Sequence, residues 1–534
     1  MWLWGICDIE NPDDVRAGPD IESFINFVSR EKSVTYFHNL AFDGSFIIDY
    51  LFRHGYTHRQ GRDLIKGQFS TLISQMGKFY SITVRWFNGR TTEFRDSLKK
   101  LPMSVSKVAQ AFKLPEGKGS INYMLDRPRG WVATPEERDY LRRDVSIVAR
   151  ALRLQIDEGM TRLTVGADSL AQYKQLTGLK NFTRIFPVLS ESMDAEIRSA
   201  YRGGFTYVDP RHQNKLTGAG TCYDVNSLYP SVMYDRVLPY GDPLFAEGLP
   251  VATEEFPLFI VSITFIAKIK PNHIPCIQIK SSAFFMATEY QTNINEPVTL
   301  MCTNVDLALW REHYDMEILS YNGGWRFHGI VGVFKDYIDK WMEVKANSDG
   351  GLRAIAKLHL NSLYGKFATN PNVTGKIPVM EDDVIKLVTG EQETRNPVYT
   401  AMGVFITAYA RDVTIRAAQE HYDTFIYADT DSLHLLDDSN PVRLTVHPSN
   451  LGEWKREYSF IDGMFVRAKC YTELVTIKPG LWGYQTHIAG LPDNISSRVT
   501  FADYVNGRTF DGKLLPKRVP GGIVLHDVKF TLNL

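Results

Sequence analysis

The sequence predicts a multidomain chain, α/β at its start and α+β beyond, and three observations carry that prediction. At 534 residues the chain is long enough for two or more domains with sizeable cores. Residues 1 to about 163 read as α/β, with apolar strand-like runs giving way to helical patterns. Farther along, long strand-like runs, a pair of helical patterns and a short acidic hairpin follow one another in an α+β order.

Taken in order, the first stretch holds Asp8-Ile9-Glu10, two acids that would face the same way on a strand. His38-Asn39-Leu40-Ala41-Phe42-Asp43-Gly44-Ser45-Phe46 ends an apolar strand and opens a helix. Tyr140 and Asp144 are four apart on a helical pattern and share a face. By themselves Asp43 reads equally as a helix cap and Tyr140 as a surface aromatic. From Val165 a second body begins. Tyr201-Arg202-Gly203-Gly204 is a Gly-Gly turn whose backbone could approach a phosphate closely. Tyr223-Asp224-Val225-Asn226-Ser227-Leu228-Tyr229-Pro230-Ser231 sets an acid in apolar surroundings, at the end of a strand and before a helix over Leu228 to Val237.

The 133 positions from Asp224 to Lys357 are rich in strand-like runs such as Leu258 to Ile266. Phe334 to Asn347 and Leu352 to Lys366 form two helical patterns joined by Ser348-Asp349-Gly350-Gly351, an αα-hairpin that would bring Lys345 near Lys357. On the second helix Lys357, Asn361 and Tyr364 fall at i, i+4 and i+7, so a cation, an amide and a ring share one face. Asn370 to Pro397 is a polar, hairpin-like excursion.

Phe425 to Leu436, F-I-Y-A-D-T-D-S-L-H-L-L, reads as a β-hairpin with its acids at the turn. Asp429 and Asp431 would sit close together, and two carboxylates that near stay ionised only beside something positive, most simply a divalent metal. A solvated acidic turn is the plain alternative. An EF-hand is excluded, because His434 stands where the loop needs Gly and no Glu closes it. Lys469-Cys470-Tyr471 follows, and the tail from about Ala489 to Leu534 completes the chain.

Composition is that of a globular protein, 44% hydrophobic and 23% charged. No apolar run reaches the ~18 residues of a membrane span, and Met1-Trp2-Leu3-Trp4-Gly5 lacks the basic region and cleavage site of a signal peptide. Five scattered cysteines with no C-x-x-C pair argue against a disulfide framework or zinc module and fit a reducing cytoplasm. The net charge of -1 requires any nucleic-acid surface to be local. Arg59 to Lys66, Lys268 to Lys280 and Lys513 to Arg518 are candidate basic patches, each equally readable as a solvated face.

D-x-N-S-L-Y-P-S, K-x-x-x-N-S-x-Y-G and Y-x-D-T-D-S, in this order, resemble motifs A, B and C of family B DNA polymerases. The likeness is greatest to the protein-primed branch of small tailed bacteriophages with linear genomes, and covers nearly the whole chain. It implies an RNase H-like 3′–5′ exonuclease domain followed by a right-hand palm, fingers and thumb. Residues 1–163 would be the exonuclease, 164–235 and 401–489 the palm, and 236–332 a first insertion that touches a terminal protein and DNA. Residues 333–367 would be the fingers, 368–400 a second insertion for strand displacement, and 490–534 the thumb.

By the same resemblance Asp224, Asp429 and Asp431, with the Val225 carbonyl, hold two Mg²⁺ ions, for which Mn²⁺ would substitute. Lys345, Lys357, Asn361 and Tyr364 meet the nucleotide, and Tyr229 crowds out a ribose 2′-hydroxyl. Tyr201, Gly203 and Gly204 touch the template, and Lys469 and Tyr471 the primer. Asp43, Asp144, Tyr140 and Lys118 belong to the exonuclease, Asp43 and Asp144 as metal ligands, while Asn39, Phe42, Ser97, Leu98 and Tyr123 contact a frayed primer end. The first exonuclease motif departs from the family. Either Asp8 and Glu10 supply it, or the chain begins past it, which the family-like second strand at Trp2 to Gly5 and the spacing of only 35 positions to Asp43 favour.

The implied protein is a monomer in a bacterial host's cytoplasm. Its partners are primer-template DNA, dNTPs and a priming protein, with no membrane. A non-catalytic DNA-binding replication module and an exonuclease alone are the rival readings.

Overall fold

The computed structural model describes residues 3–533 apart from 123–124, 126, 129, 280–289 and 438–441. Near the start, a five-stranded sheet runs in the order Ser33–Phe37, Thr91–Asp96, Phe79–Arg85, Gln68–Ile73, Thr57–His58. Its two outer pairs are parallel and its inner pairs antiparallel. The apolar positions of helix Leu40–Arg53 bury Leu40, Ile47, Ile48 and Leu51 against Phe69, Ile82 and Phe94, a face spaced at helical periodicity. Helix Pro135–Asp157 starts at a capping box in which Thr134 and Glu137 satisfy each other's backbone N–H.

Alongside that helix lies a separate two-stranded hairpin, Trp4–Asp8 with Asn11–Gly18. Gly5 abuts Leu141, and at the tip Glu10 pairs with Arg153.

The second body centres on a seven-stranded antiparallel sheet. Its order is Leu481–Ile488, Cys470–Lys478, Trp454–Arg467, Gly220–Val225, Ser432–Leu436, Phe425–Asp429, Thr206–Val208. Helix Thr400–Glu420 packs against it almost wholly buried, as its apolar, small-residue sequence dictates. The span after Asp224 folds as a four-stranded sheet, Leu238–Ala246, Tyr314–Ile330, Leu258–Ile269, Asn293–Thr303.

Helices Lys335–Asn347 and Gly350–Ser362 pack as the anticipated pair. The second stops at Ser362 and resumes as Tyr364–Phe367, earlier than the single helix to Lys366 read from the pattern. Asn372–Glu381 pairs with Val384–Thr394 as a long hairpin, and Arg508–Val519 with Gly522–Leu532 as another. One apolar core runs from Leu101 and the Val105–Ala111 helix through to Phe405, so the helices that close the first 163 residues share their interior with the second body. Among the described residues no helix is long and apolar enough to cross a membrane.

Candidate active site

The two-residue turn Thr430-Asp431 joins strands Phe425–Asp429 and Ser432–Leu436, as the alternation of apolar and acidic residues requires. Thr430 takes φ +63°, a costly conformation for a β-branched residue. It is held there because its N–H donates to the Phe205 carbonyl at 2.6 Å and its carbonyl accepts from Thr414 Oγ1 at 2.7 Å. Register brings the third acid alongside, since Ser432 pairs directly with Asp224. The Val225 N–H donates to the Asp431 carbonyl at 2.8 Å, locking the two strands at the level of the acids.

Burial, then the neighbouring Asp431 and Glu457, push the Asp224 carboxyl up to about 7. Asp431 is raised as well, by burial and by Asp429. A like-charge pair under partial burial is the situation a divalent cation relieves. As the side chains lie, no three acids, histidines or cysteines among the described residues close on one point. At the turn the reason is visible: Lys469 Nζ holds both oxygens of Asp429 at 2.7 Å. Lys469 occupies the charge position beside the acids, whose oxygen donors are of the kind hard divalent cations take.

The nucleotide candidates line the side next to these acids. Lys345 Nζ donates to Ser227 Oγ at 3.2 Å. Burial and then nearby Lys357, Arg353 and Lys455 lower the Lys345 ammonium, as crowding of like charges requires. Lys357 and Asn361 are exposed on the same helix. Tyr364, past the break in that helix, stacks on Tyr229 with ring centroids 3.9 Å apart and planes at 15°.

The Tyr201–Gly204 loop is fixed from behind. Arg411 donates to the carbonyls of Arg202 and Gly203 at 2.6 and 3.0 Å and to Asp306 at 2.7 Å. Gly204 is required by packing, since a Cβ there would stand 2.7 Å from the Thr430 side chain. Gly203 has nothing within 4 Å of that position and faces open space. Lys469 sits at φ +56°, its N–H donating to Tyr427 Oη at 3.0 Å. Tyr471 is 7% exposed, stacked between Phe465 and His487, so Lys469 is the member of this motif presented outward.

A second group of candidates lies where helices Leu40–Arg53 and Pro135–Asp157 approach the strand that ends at Asp96, with His38 near Asp96, Lys118 and Asp144. Lys118 Nζ is 3.6 Å from Asp144 Oδ2 and lies over the Tyr140 ring. The other Asp144 oxygen is buried without a hydrogen-bond partner, and burial raises its carboxyl. Asp43, in the first turn of helix Leu40–Arg53, is pushed up to about 7 by burial, with Asp96 adding to the rise. Asn39, at φ +80°, and Leu98 both donate backbone N–H to Asp96 Oδ1, at 3.1 and 3.0 Å. Ser97 is buried, donating to the Phe37 carbonyl at 3.0 Å, and Phe42 meets Phe46 edge-on at 5.9 Å. Tyr123 lies outside the described residues.

Asp8 and Glu10 do not join this cluster: they are exposed at the hairpin tip, and Glu10 pairs with Arg153, nine residues or about 13 Å along the helix from Asp144. Sequence reasoning missed Asp96, Arg411 and the Lys469–Asp429 pair. The only local hint was Asp96 standing directly before Ser97-Leu98.

Three acids at the ends of neighbouring central strands, beside clustered lysines and an exposed glycine loop, define an enzyme that handles polyphosphate and nucleic acid. The chain belongs to the type B DNA polymerases of organelles and viruses, whose family model matches residues 25–129 and 124–446. The DNA polymerases of Bacillus phages Nf and phi29 are each 42% identical to it, over 100% of this chain and 96% of theirs. That of Streptococcus phage Cp-1 is 31% identical over 99% of this chain and 94% of its own. The structure of phi29 DNA polymerase with primer-template DNA and incoming nucleotides superimposes with a TM-score of 0.93, at 42% identity, covering 99% of this chain and 96% of that one. The fold is therefore the multidomain exonuclease and palm, fingers and thumb arrangement, and the protein is a DNA polymerase. Membership implies divalent-metal use, which the acids described above suit.

Proposed function

We propose that this polymerase copies a linear phage-type genome with strand displacement, extending a primer 3′-hydroxyl and, at genome ends, a side-chain hydroxyl of a priming protein. The observation that carries the chemistry is the alignment of Asp224 with the Asp429–Asp431 turn. Asp224, Asp431, Asp429 and the Val225 carbonyl would hold two Mg²⁺ ions, with Mn²⁺ able to substitute. When bound, such ions make the attacking hydroxyl more acidic and neutralise charge on the triphosphate and departing pyrophosphate.

The chain's own groups do the rest. Lys345 and Lys357 balance negative charge on the nucleotide phosphates. Asn361 and Tyr364 line the nucleotide's path, with the Tyr229 ring stacked on Tyr364 where a sugar would lie. Gly203 offers bare backbone to the template beside Tyr201 and Gly204. Lys469, held by Asp429 in the free protein, exchanges that carboxylate for a primer phosphate. The long Asn372–Thr394 hairpin suits parting of the strands. The four-stranded sheet suits contact with the priming protein, acting on a monomeric polymerase in the host cytoplasm.

For exonuclease action, Asp43 and Asp144 would hold metal, Lys118 and Tyr140 would orient the attacked phosphodiester, and Asn39, Phe42, Ser97, Leu98 and Tyr123 would receive the frayed end. The described cluster contributes two acids of the set that two-metal hydrolysis needs.

The test is a 5′-labelled primer on a longer template with Mg²⁺, with and without dNTPs. Elongation with dNTPs is the expected result, and its absence defeats the proposal. Primer shortening in the lane without dNTPs reports whether the Asp43–Asp144 cluster hydrolyses DNA.

A further inference from the structure

We propose that the buried ion pair of His434 and Glu473 is a positioning element for polymerisation, tying the strand after the catalytic turn to the strand after Lys469. In the sheet order those strands are three places apart, Cys470–Lys478, Trp454–Arg467, Gly220–Val225, Ser432–Leu436. Neighbouring strands lie about 4.8 Å apart, so a flat sheet would separate the two backbones by roughly 14 Å. Yet His434 Nδ1 and Glu473 Oε1 are 2.7 Å apart. The two side chains therefore meet over the two intervening strands, as a chord across the sheet.

The chord is sealed. The His434 and Glu473 side chains are 1% and 0% exposed. Tyr458 donates to the second Glu473 oxygen at 2.6 Å, and Cys222 Sγ lies 3.7 Å from His434 Nε2. The rings of Tyr427, Phe460, Phe465 and Tyr471 wall the pair. The titratable groups facing His434 are thus Cys222, Tyr427, Tyr458, Tyr471 and Glu473, with His487 beyond Tyr471. Burial alone would strip its proton, but Glu473, then Cys222, hold the imidazolium up to about 10.

The connection to the reaction runs through Tyr427. Its ring is 5.4 Å from that of His434, and its hydroxyl accepts from the Lys469 N–H at 3.0 Å while facing Asp429 Oδ2 at 3.4 Å. Where the chord holds the Tyr427 ring, Lys469 and Asp429 follow. Lys345, Lys357 and Tyr229 stand on other elements.

This inference rests on the polymerase reading above, so extension by the wild-type enzyme is the control that separates the two. The measurements are melting temperature, primer-template affinity, dNTP KM and single-turnover addition from pH 7 to 10, for Glu473→Gln, His434→Gln and the double variant. His434→Gln strands a buried carboxylate, and primer affinity should fall at least about tenfold while dNTP KM stays within about twofold. Glu473→Gln lets His434 shed its proton and remain as a neutral partner, so its loss is smaller. Its activity relative to wild type should rise only towards pH 10, where the wild-type imidazolium gives up its proton and the pair keeps a neutral hydrogen bond. The double variant should recover most of the His434→Gln loss. Equal single losses that simply add, or losses that fall as heavily on dNTP KM as on primer affinity, would overturn the proposal. Should His434→Gln fail to fold, Glu473→Gln decides through its split between primer affinity and dNTP KM.

Discussion

At the scale of single residues, the acids of the turn are defined as much by what surrounds them as by their letters. Asp429 is engaged by Lys469, while Asp224 and Asp431 are driven up by burial and by carboxylate neighbours. A metal clamp supplies several kcal/mol and each ~1.4 kcal/mol is tenfold in rate, so Asp224→Ala or Asp429→Ala should lower turnover by about 10³-fold or more. Steady-state extension on a saturating primer-template reads this directly; near-normal rates would sink the role given to these acids. Tyr229 calls for a different outcome. Its ring lies flat on Tyr364, and Tyr229→Val removes the bulk without touching a ligand. Incorporation of dNTPs should persist while rNTP incorporation rises, measured as the ratio of kcat/KM for the two sugars. The letters of these residues were legible in the sequence because the chemistry repeats in short motifs. The Lys469–Asp429 and His434–Glu473 pairs were not, since their members lie 40 and 39 positions apart and nothing local marks either partner.

At the scale of elements, the hairpin at Phe425–Leu436 and the αα-pair were legible because alternation and helical spacing are local signals. The Asp8-Ile9-Glu10 letters left two readings open, and their strand context and spacing already favoured the one in which they supply no motif. The same alternation serves a hairpin tip, and what decides its role is which helix it packs along. The helix Gly350–Ser362 holds a residue the motif pattern did not single out. His359 is wholly buried, stacked on Trp341 at 4.0 Å, with Nδ1 at 3.1 Å from both Ser169 Oγ and Tyr337 Oη. Burial, with Lys340 and Lys100 adding to it, lowers its pKa to about 3.

A depressed histidine binds fewer protons folded than unfolded between about 3 and 6.5. Stability therefore rises with pH across that window and is lost as pH falls. Asp43 and Asp224, held near 7, act with the opposite sign, so the informative quantity is the difference between wild type and His359→Met. Wild type should lose about 2 kcal/mol more than the variant between pH 7 and pH 5, at about 1.4 kcal/mol per unit per group. Denaturant unfolding at the two pH values measures it, and parallel losses would show that His359 is protonated without cost in the folded state.

At the scale of the whole molecule, the outlying modules close on one another. Ile385 from the Asn372–Thr394 hairpin packs into the core of the five-stranded sheet. Strand Arg508–Val519 touches strand Val384–Thr394, and helix Leu40–Arg53 touches both hairpins. Asp49 sits at the junction. Its Oδ2 accepts from Arg53 Nε at 2.9 Å, its Oδ1 accepts from the Gly521 N–H at 3.2 Å, and Arg53 reaches on to Asp383 at 3.2 Å. At the same contact Gly522 takes φ +140°, and a Cβ there would stand 2.4 Å from the Phe46 ring, so only glycine lets the tip dock. The exposed Arg53–Asp383 pair is worth little alone, whereas Asp49 is buried and serves two donors. The two hairpins thus touch each other and share helix Leu40–Arg53 as a common support.

A contact of this kind between the hairpins would help hold DNA without demanding a basic surface, in keeping with the net charge of -1. Asp49→Ala should open the junction while leaving the acids untouched. Addition of a single nucleotide would then proceed at the wild-type rate, and product length per binding event, measured with a trap for released enzyme, would shorten severalfold. Gly522→Val should do the same by steric exclusion. If both variants keep wild-type product lengths, the contact is incidental and retention must come from the basic residues alone.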